Sequence, residues 1–328
     1  MKFRTEINPH KSDLQIEHKD SVMTFGSCFA ENISEYFQFY RFDIMKNPFG
    51  VLYNPISVLN AIKSLEETKV FSETDLVFHQ DEWHSFYHHS DFSNHKKEEC
   101  LNSINETVKT ASEFFRKAKV IIITFGTAFV FKHLEREIIV SNCHKIPSNQ
   151  FERKRLSVDE TISNINLIVE SISKINSKAN IIFTVSPVRH WRDGAVENQL
   201  SKATLLLAVN NVVSTNSNCF YFPSYEIVMD DLRDYRYYES DLLHPNKLAT
   251  DYIWEKFSNT HFSEKCLSAM NEIKVIAEAR MHRPRNIVSE AHQKFLKKQL
   301  KFIDQLELKY GHLNLDEDKK YFKEQLNL

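Results

Sequence analysis

Residues 25–33 read FGSCFAENI. A short apolar run, SVMTF (21–25), leads into this stretch, and a helix-like run, AENISEYFQFY (30–40), leaves it. Between the two stand a glycine, a hydroxyl and a thiol in succession. Gly26 and Ala30 lie two residues before and two after Cys28. Small residues at those places are the steric requirement of a nucleophile elbow, where one side chain projects from a tight strand-to-helix turn. By this spacing Cys28 projects; Ser27, flanked by Phe25 and Phe29, fits less well. A thiol at a helix start also meets the positive end of the macrodipole, which favours thiolate. The plainer alternative is a buried structural cysteine.

Glycine usage sharpens the point. The chain has five glycines in 328 residues, where ordinary usage of about 7% would give roughly 23. Four of them, Gly26, Gly50, Gly126 and Gly194, fall at or after a strand end or in a Pro-rich loop, while Gly311 follows the helical LELKY. Few glycines means few places where left-handed backbone or close approach is expected.

Around that stretch, apolar runs alternate with helical patterns. Residues 21–25, 119–125, 180–185 and 219–223 read as buried strands, and 30–40, 55–67, 100–117, 157–177, 197–213 and 246–259 as helices. Ser157 with Glu160 three residues later predicts a capping box. The alternation predicts an α/β protein whose parallel sheet is covered on both faces, with its site at the carboxyl ends of the strands. Residues 70–98, rich in His and aromatics, read as an irregular hairpin. After 260 only helical patterns remain, with a break at Pro284. The expected division is an α/β domain over 1–260 and a helical extension over 261–328.

The net charge of −2 offers no broad basic field for nucleic acid or anionic lipid. The charged runs HKKEE and FERKRL read as solvated faces. No apolar run is long enough to span a membrane, and residues 1–20 lack the apolar core of a secretory signal. Five scattered cysteines without a C-x-x-C pair predict a reduced, cytoplasmic chain.

Candidate partners for Cys28 come from four further stretches. In SDLLHP, Asp241 precedes His244 by three residues, close enough to fix the imidazole tautomer and leave the other nitrogen as general base. In NPFGVLYNP, the Gly50 N–H is a candidate oxyanion donor. In TFGTAFVF, the Gly126 backbone or the Thr127 hydroxyl is a candidate to face the same site. In SPVRHWRDG, Arg189 and His190 are candidates to grip an anionic or hydroxyl-rich substrate, in a polar cluster with Ser186, Asn198, Ser201 and Lys202. His79, His84, His88, His89 and His95 cluster as candidate metal ligands, but no H-E-x-x-H accompanies them, so neither metal nor cofactor is expected.

These stretches, FGSCFA, NPFGVLYNP, FGTAFVF, SPVRHWRDG, YFPSYEIVMDDLRDYRYY and DLLHP, taken in this order, resemble the GSCFA-domain family, which is grouped with the SGNH (GDSL-type) hydrolases. The resemblance covers about 21–260. It implies a three-layer α/β/α sandwich of flavodoxin-like kind and acyl chemistry on an ester of a small molecule or glycan. Counted from Gly26, the place of the nucleophilic serine in G-D-S is Cys28, and Ser27 takes the aspartate's place. Asp241 and His244 match the D-x-x-H block, and Gly50 matches the oxyanion glycine. Gly126-Thr127-Ala128-Phe129 stands where G-x-N-D is expected, so the oxyanion asparagine is unmatched and Asn54 becomes the candidate substitute. The expected activity is ester hydrolysis or acyl transfer through a Cys (or Ser)-His-Asp site. The alternative is a ligand-binding protein that keeps the fold without catalysis.

Overall fold

A computed structural model describes residues 4–326. Its centre is a five-stranded, all-parallel sheet built from β1 (Val22–Gly26), β2 (Ile44–Lys46), β5 (Val120–Phe125), β9 (Asn180–Val185) and β10 (Cys219–Tyr221), in the spatial order β2-β1-β5-β9-β10. Counted along the chain, these are strands 1 to 5 in the order 2-1-3-4-5. The winding direction therefore reverses between β1 and β5, and the crevice that sheets of this kind offer to ligands opens at their carboxyl ends.

Every residue of β1 and β5 is buried because helices cover both faces. The period of two sorts the side chains. Met23, Phe25, Ile121 and Ile123 pack with α2 (Pro55–Glu66), α3 (Lys97–Phe115), α4 (Val158–Ile175) and α5 (Gly194–Thr215). Val22, Val120, Ile122 and Ile182 pack with α1 (Cys28–Phe39), α7 (Lys247–His261) and the start of α8 (Glu264–Met281). On that second face Phe37 is fully buried, edge-on to Phe42 and Trp254 at ring distances of 5.0 Å each. The capping box forms: Ser157 Oγ accepts from the Glu160 N–H at 3.1 Å, and Glu160 accepts from the Ser157 N–H at 2.8 Å.

Two small antiparallel sheets decorate this frame. The hairpin of β3 (Leu76–His79) and β4 (Glu82–Ser85) lies in the expected excursion. The other joins β6 (Phe129–His133), β7 (Ile139–Val140) and β8 (Phe151–Arg155) in the order β7-β6-β8. The run read as a solvated face, FERKR, is thus a strand, because its backbone pairs with β6 while its alternate side chains face water. A short α6 (Ser224–Glu226) follows β10 and continues into a π-turn over Ile227–Asp231.

Among the described residues the C-terminal part holds three helices, α8, α9 (Glu290–Lys309) and α10 (Asp316–Leu326), where the sequence pattern, with its break at Pro284, predicts two. Cys266 and Met270 of α8 pack on the α/β core, whereas Ile273 and Ile276 join Leu296, Ile303 and Phe322 in a separate cluster. Asp318, 1% exposed, fastens this cluster to the sheet domain by accepting two hydrogen bonds from Arg41 (2.8 and 2.7 Å) and one from Arg280 (3.2 Å). No described helix is long and apolar enough to cross a membrane.

Candidate active site

The turn after β1 is shaped by Gly26. Its φ is +141°, and a Cβ there would lie 2.2 Å from the Thr124 carbonyl oxygen of β5. Only glycine lets the two central strands approach this closely at the switch point. The turn then divides its two candidate nucleophiles. Ser27 is 1% exposed, and its Oγ has no hydrogen-bond partner among the described residues. Cys28, the first residue of α1, is partly exposed. Ser27 takes the N-cap position without capping through its side chain, so the first N–H groups of α1 are left without that partner.

The environment of Cys28 corrects one expectation. Burial raises the thiol above its ordinary range, opposed by the Phe29 N–H, with Glu31 raising it further and Lys202 and its own N–H lowering it. The helix start pulls in the expected direction but does not prevail over burial, which favours the thiol form.

Asp241 and His244 meet as their spacing predicts. Asp241 Oδ2 lies 2.5 Å from His244 Nδ1, and Oδ1 accepts from the Leu243 and His244 N–H groups at 2.9 and 3.0 Å. These bonds hold the Asp241 carboxyl down to about 2, the backbone donation from His244 being the largest cause. Leu242 between them adopts φ +61°, an uncommon conformation for a leucine. His244 Nε2 makes no hydrogen bond among the described residues and is available as a base.

His190 meets the Tyr53 ring edge-on at 5.4 Å. Burial pulls His190 down to about 4, with Lys202 and His244 adding to the effect. His190 is therefore neutral and can recognise a substrate by hydrogen bonding, whereas the expected grip on an anion falls to Arg189. Burial likewise lifts the Tyr53 phenol to about 12, with Cys28 among the further causes.

The expected oxyanion donors need correcting. The Gly50 N–H donates to the Asn47 carbonyl at 2.7 Å, and a Cβ at Gly50 would meet His89 at 2.3 Å. Gly50 serves a turn packed under the His-rich segment. The Gly126 and Thr127 N–H groups both donate to the Tyr53 carbonyl, at 2.7 and 3.0 Å. The Thr127 hydroxyl pairs with Ser201 at 3.0 Å and accepts from the Phe129 N–H. Asn54 differs: its Oδ1 caps α2 by accepting from the Ser57 N–H at 2.9 Å, which leaves Nδ2 as a donor without a hydrogen-bond partner among the described residues.

The histidines of 79–95 hold their own segment together. His84 bonds Ser93 and the His79 carbonyl, His88 bonds Ser85 and stacks on Phe49, and His89 pairs with Asp91. No group of three metal-ligating side chains occurs among the described residues.

Lys202 is the residue whose place the sequence reading underrates. It is 0% exposed, and its Nζ donates to the Gly126 carbonyl at 2.7 Å and the Ser186 carbonyl at 2.6 Å. It thereby joins the carboxyl ends of the adjacent strands β5 and β9 behind the Cys28 turn. A signal was present, since Lys202 falls on the buried stripe Asn198, Ser201, Leu205, Ala208, Val209.

Among solved structures, the chain is similar to a carbohydrate esterase family 3 protein from Talaromyces cellulolyticus, with a TM-score of 0.36 and 8% identity over 77% of this chain and 99% of that one. It is also similar to an acetyl xylan esterase from the rumen bacterium Butyrivibrio proteoclasticus, with a TM-score of 0.35 and 10% identity over 75% of this chain and 64% of that one. No curated protein matches the chain in sequence. The model of the GSCFA family matches residues 21–257, and that of the GSCFA domain protein C-terminal domain matches 273–328. With most of its length matched, from the Cys28 turn to the helix after His244, the chain belongs to the GSCFA family.

Proposed function

We propose that the protein is an acyl-transfer enzyme acting on an ester or thioester, with Cys28 as nucleophile and the Asp241–His244 pair as its base. The observation that carries this reading is the Asp241 carboxylate bonded to His244 Nδ1, which fixes the tautomer that presents Nε2 as an acceptor. His244 Nε2 takes the Cys28 proton as Sγ attacks the acyl carbonyl. The carbonyl oxygen becomes an oxyanion, held by the Cys28 and Phe29 N–H groups at the start of α1 and by Asn54 Nδ2. When the tetrahedral adduct collapses, the leaving alcohol or thiol takes the proton back from His244. Water or an acceptor hydroxyl then attacks the thioester and restores Cys28. Both hydrolysis and acyl transfer follow this course. Arg189 and His190 line the substrate side. Assigning attack to Cys28 rather than Ser27 follows from the burial of the serine.

A second reading, a ligand-binding protein without catalysis, draws support from the raised Cys28 thiol and from the engaged N–H groups of Gly50 and Gly126. A chain-length series of p-nitrophenyl esters separates the two. Acyl transfer requires turnover abolished in Cys28→Ala and in His244→Ala but retained in Ser27→Ala. Turnover indifferent to Cys28 and His244, or none with any ester, leaves the binding reading.

A further inference from the structure

A fully buried ammonium group is costly unless an anion partners it. Lys202 is 0% exposed, and among the described residues its ammonium meets two backbone carbonyls but no carboxylate. Its other neighbours are the Tyr225 ring, 5.8 Å from Nζ, and the cationic Arg189. The carbonyl of Gly126 that it holds belongs to the residue whose absent Cβ would lie 3.4 Å from Ser27 Cβ, one residue before the thiol. A basic side chain is thus built into the core, behind the turn, with only backbone carbonyls as hydrogen-bond partners among the described residues.

We propose that Lys202 is the internal counter-charge of the Cys28 thiolate, a positioning residue that stabilises the anion formed when the thiol gives up its proton. In that state the proton resides on His244 Nε2 and Lys202 keeps its own, so one ion pair replaces a lone buried cation. The charged and titratable groups acting on the pair are Glu31 on α1, which opposes thiolate, Tyr53 in the loop before α2, and, in the loop after β9, Arg189, which opposes the ammonium, and His190, which burial and Lys202 keep neutral. Burial draws Lys202 down to about 7, while Cys28 favours its charged form. The charge that helps the thiolate is therefore present on the acid side of about pH 7 and lost above it.

This assignment takes Cys28 as nucleophile and so rests on the acyl-transfer reading, but its test needs no ester. The intact protein is treated with iodoacetamide across pH 5–11, and each cysteine is followed by peptide mass spectrometry. With Lys202 as counter-charge, the Cys28 rate rises with pH, levels near pH 7 as the ammonium is lost, and rises again in alkali. Lys202→Met removes the plateau, leaves one rise displaced upward, and slows Cys28 about tenfold at pH 6, the effect of one unit in pKa. Cys143, partly exposed and distant from Lys202 in its electrostatics, keeps its profile. Cys100, Cys219 and Cys266 are buried and stay protected while the variant is folded. If their protection is lost, the native protein alone decides: a plateau supports the proposal and a single rise overturns it. A single-rise native profile superimposable on that of a folded Lys202→Met protein also overturns it. Ester turnover that survives Cys28→Ala, with the plateau intact, overturns the acyl-transfer reading and leaves the role of Lys202 standing.

Discussion

Asp241 holds His244 twice: one carboxylate oxygen lies 2.5 Å from the imidazole Nδ1, and the other accepts the backbone N–H of the same histidine at 3.0 Å. The second contact fixes the turn and the first fixes the ring. Asparagine can preserve the turn through its carbonyl oxygen but turns an NH₂ toward Nδ1. That reverses the preferred tautomer and leaves Nε2 carrying an N–H rather than a lone pair. Asp241→Asn should therefore retain the fold and lower ester turnover by about 10²–10⁴-fold. Steady-state kinetics with circular dichroism checks this. Full activity in Asp241→Asn would remove the pair from the mechanism.

Glycine substitutions separate packing from conformation. At Gly26 a Cβ would press within 2.2 Å of a backbone carbonyl at φ +141°, so Gly26→Ala must move β1 from β5. We expect a loss of roughly 3 kcal/mol or more. Gly194, at φ +80° and ψ 176°, has open space around it. Alanine there carries backbone strain alone, about 1–3 kcal/mol. Gly311 has neither a left-handed φ nor a near neighbour, and Gly311→Ala should gain about 0.4–1 kcal/mol by restricting the unfolded chain. Urea midpoints of the three variants test the order.

What could be read from the sequence follows from burial. SVMTF, KVIIITF and NIIFTV announce themselves because a parallel strand covered on both faces is apolar at nearly every position. IMK of β2 is a three-residue edge strand that carries no such run, and FERKR of β8 looks like a solvated segment because its pairing is a property of the backbone. The contact of Asp241 with His244 is legible through spacing. The donors are not, because which N–H is free depends on tertiary partners: Tyr53 takes those of Gly126 and Thr127, and Asn47 takes that of Gly50. Lys202 was half legible, as a lysine on an otherwise buried stripe.

His261 gives the acid stability of the fold a specific origin. It is 1% exposed between Phe222 and Phe257, and neither ring nitrogen has a hydrogen-bond partner among the described residues. Burial pulls it from 6.5 to about 4, as it does His18 and His144, and pulls His88 to about 3. In the folded protein these rings stay neutral while the unfolded chain binds protons below about pH 6.5. Stability is therefore full above pH 6.5 and falls as pH drops toward 4. Leucine at 261 is near in volume and removes both orphan nitrogens. His261→Leu should gain about 1–3 kcal/mol at pH 7. It should also make the decline between pH 6.5 and 4 shallower, since one fewer group takes up a proton on unfolding. Urea unfolding at several pH values measures both effects. A variant that is destabilised at pH 7 and keeps the native slope would show that the imidazole is hydrogen-bonded in solution.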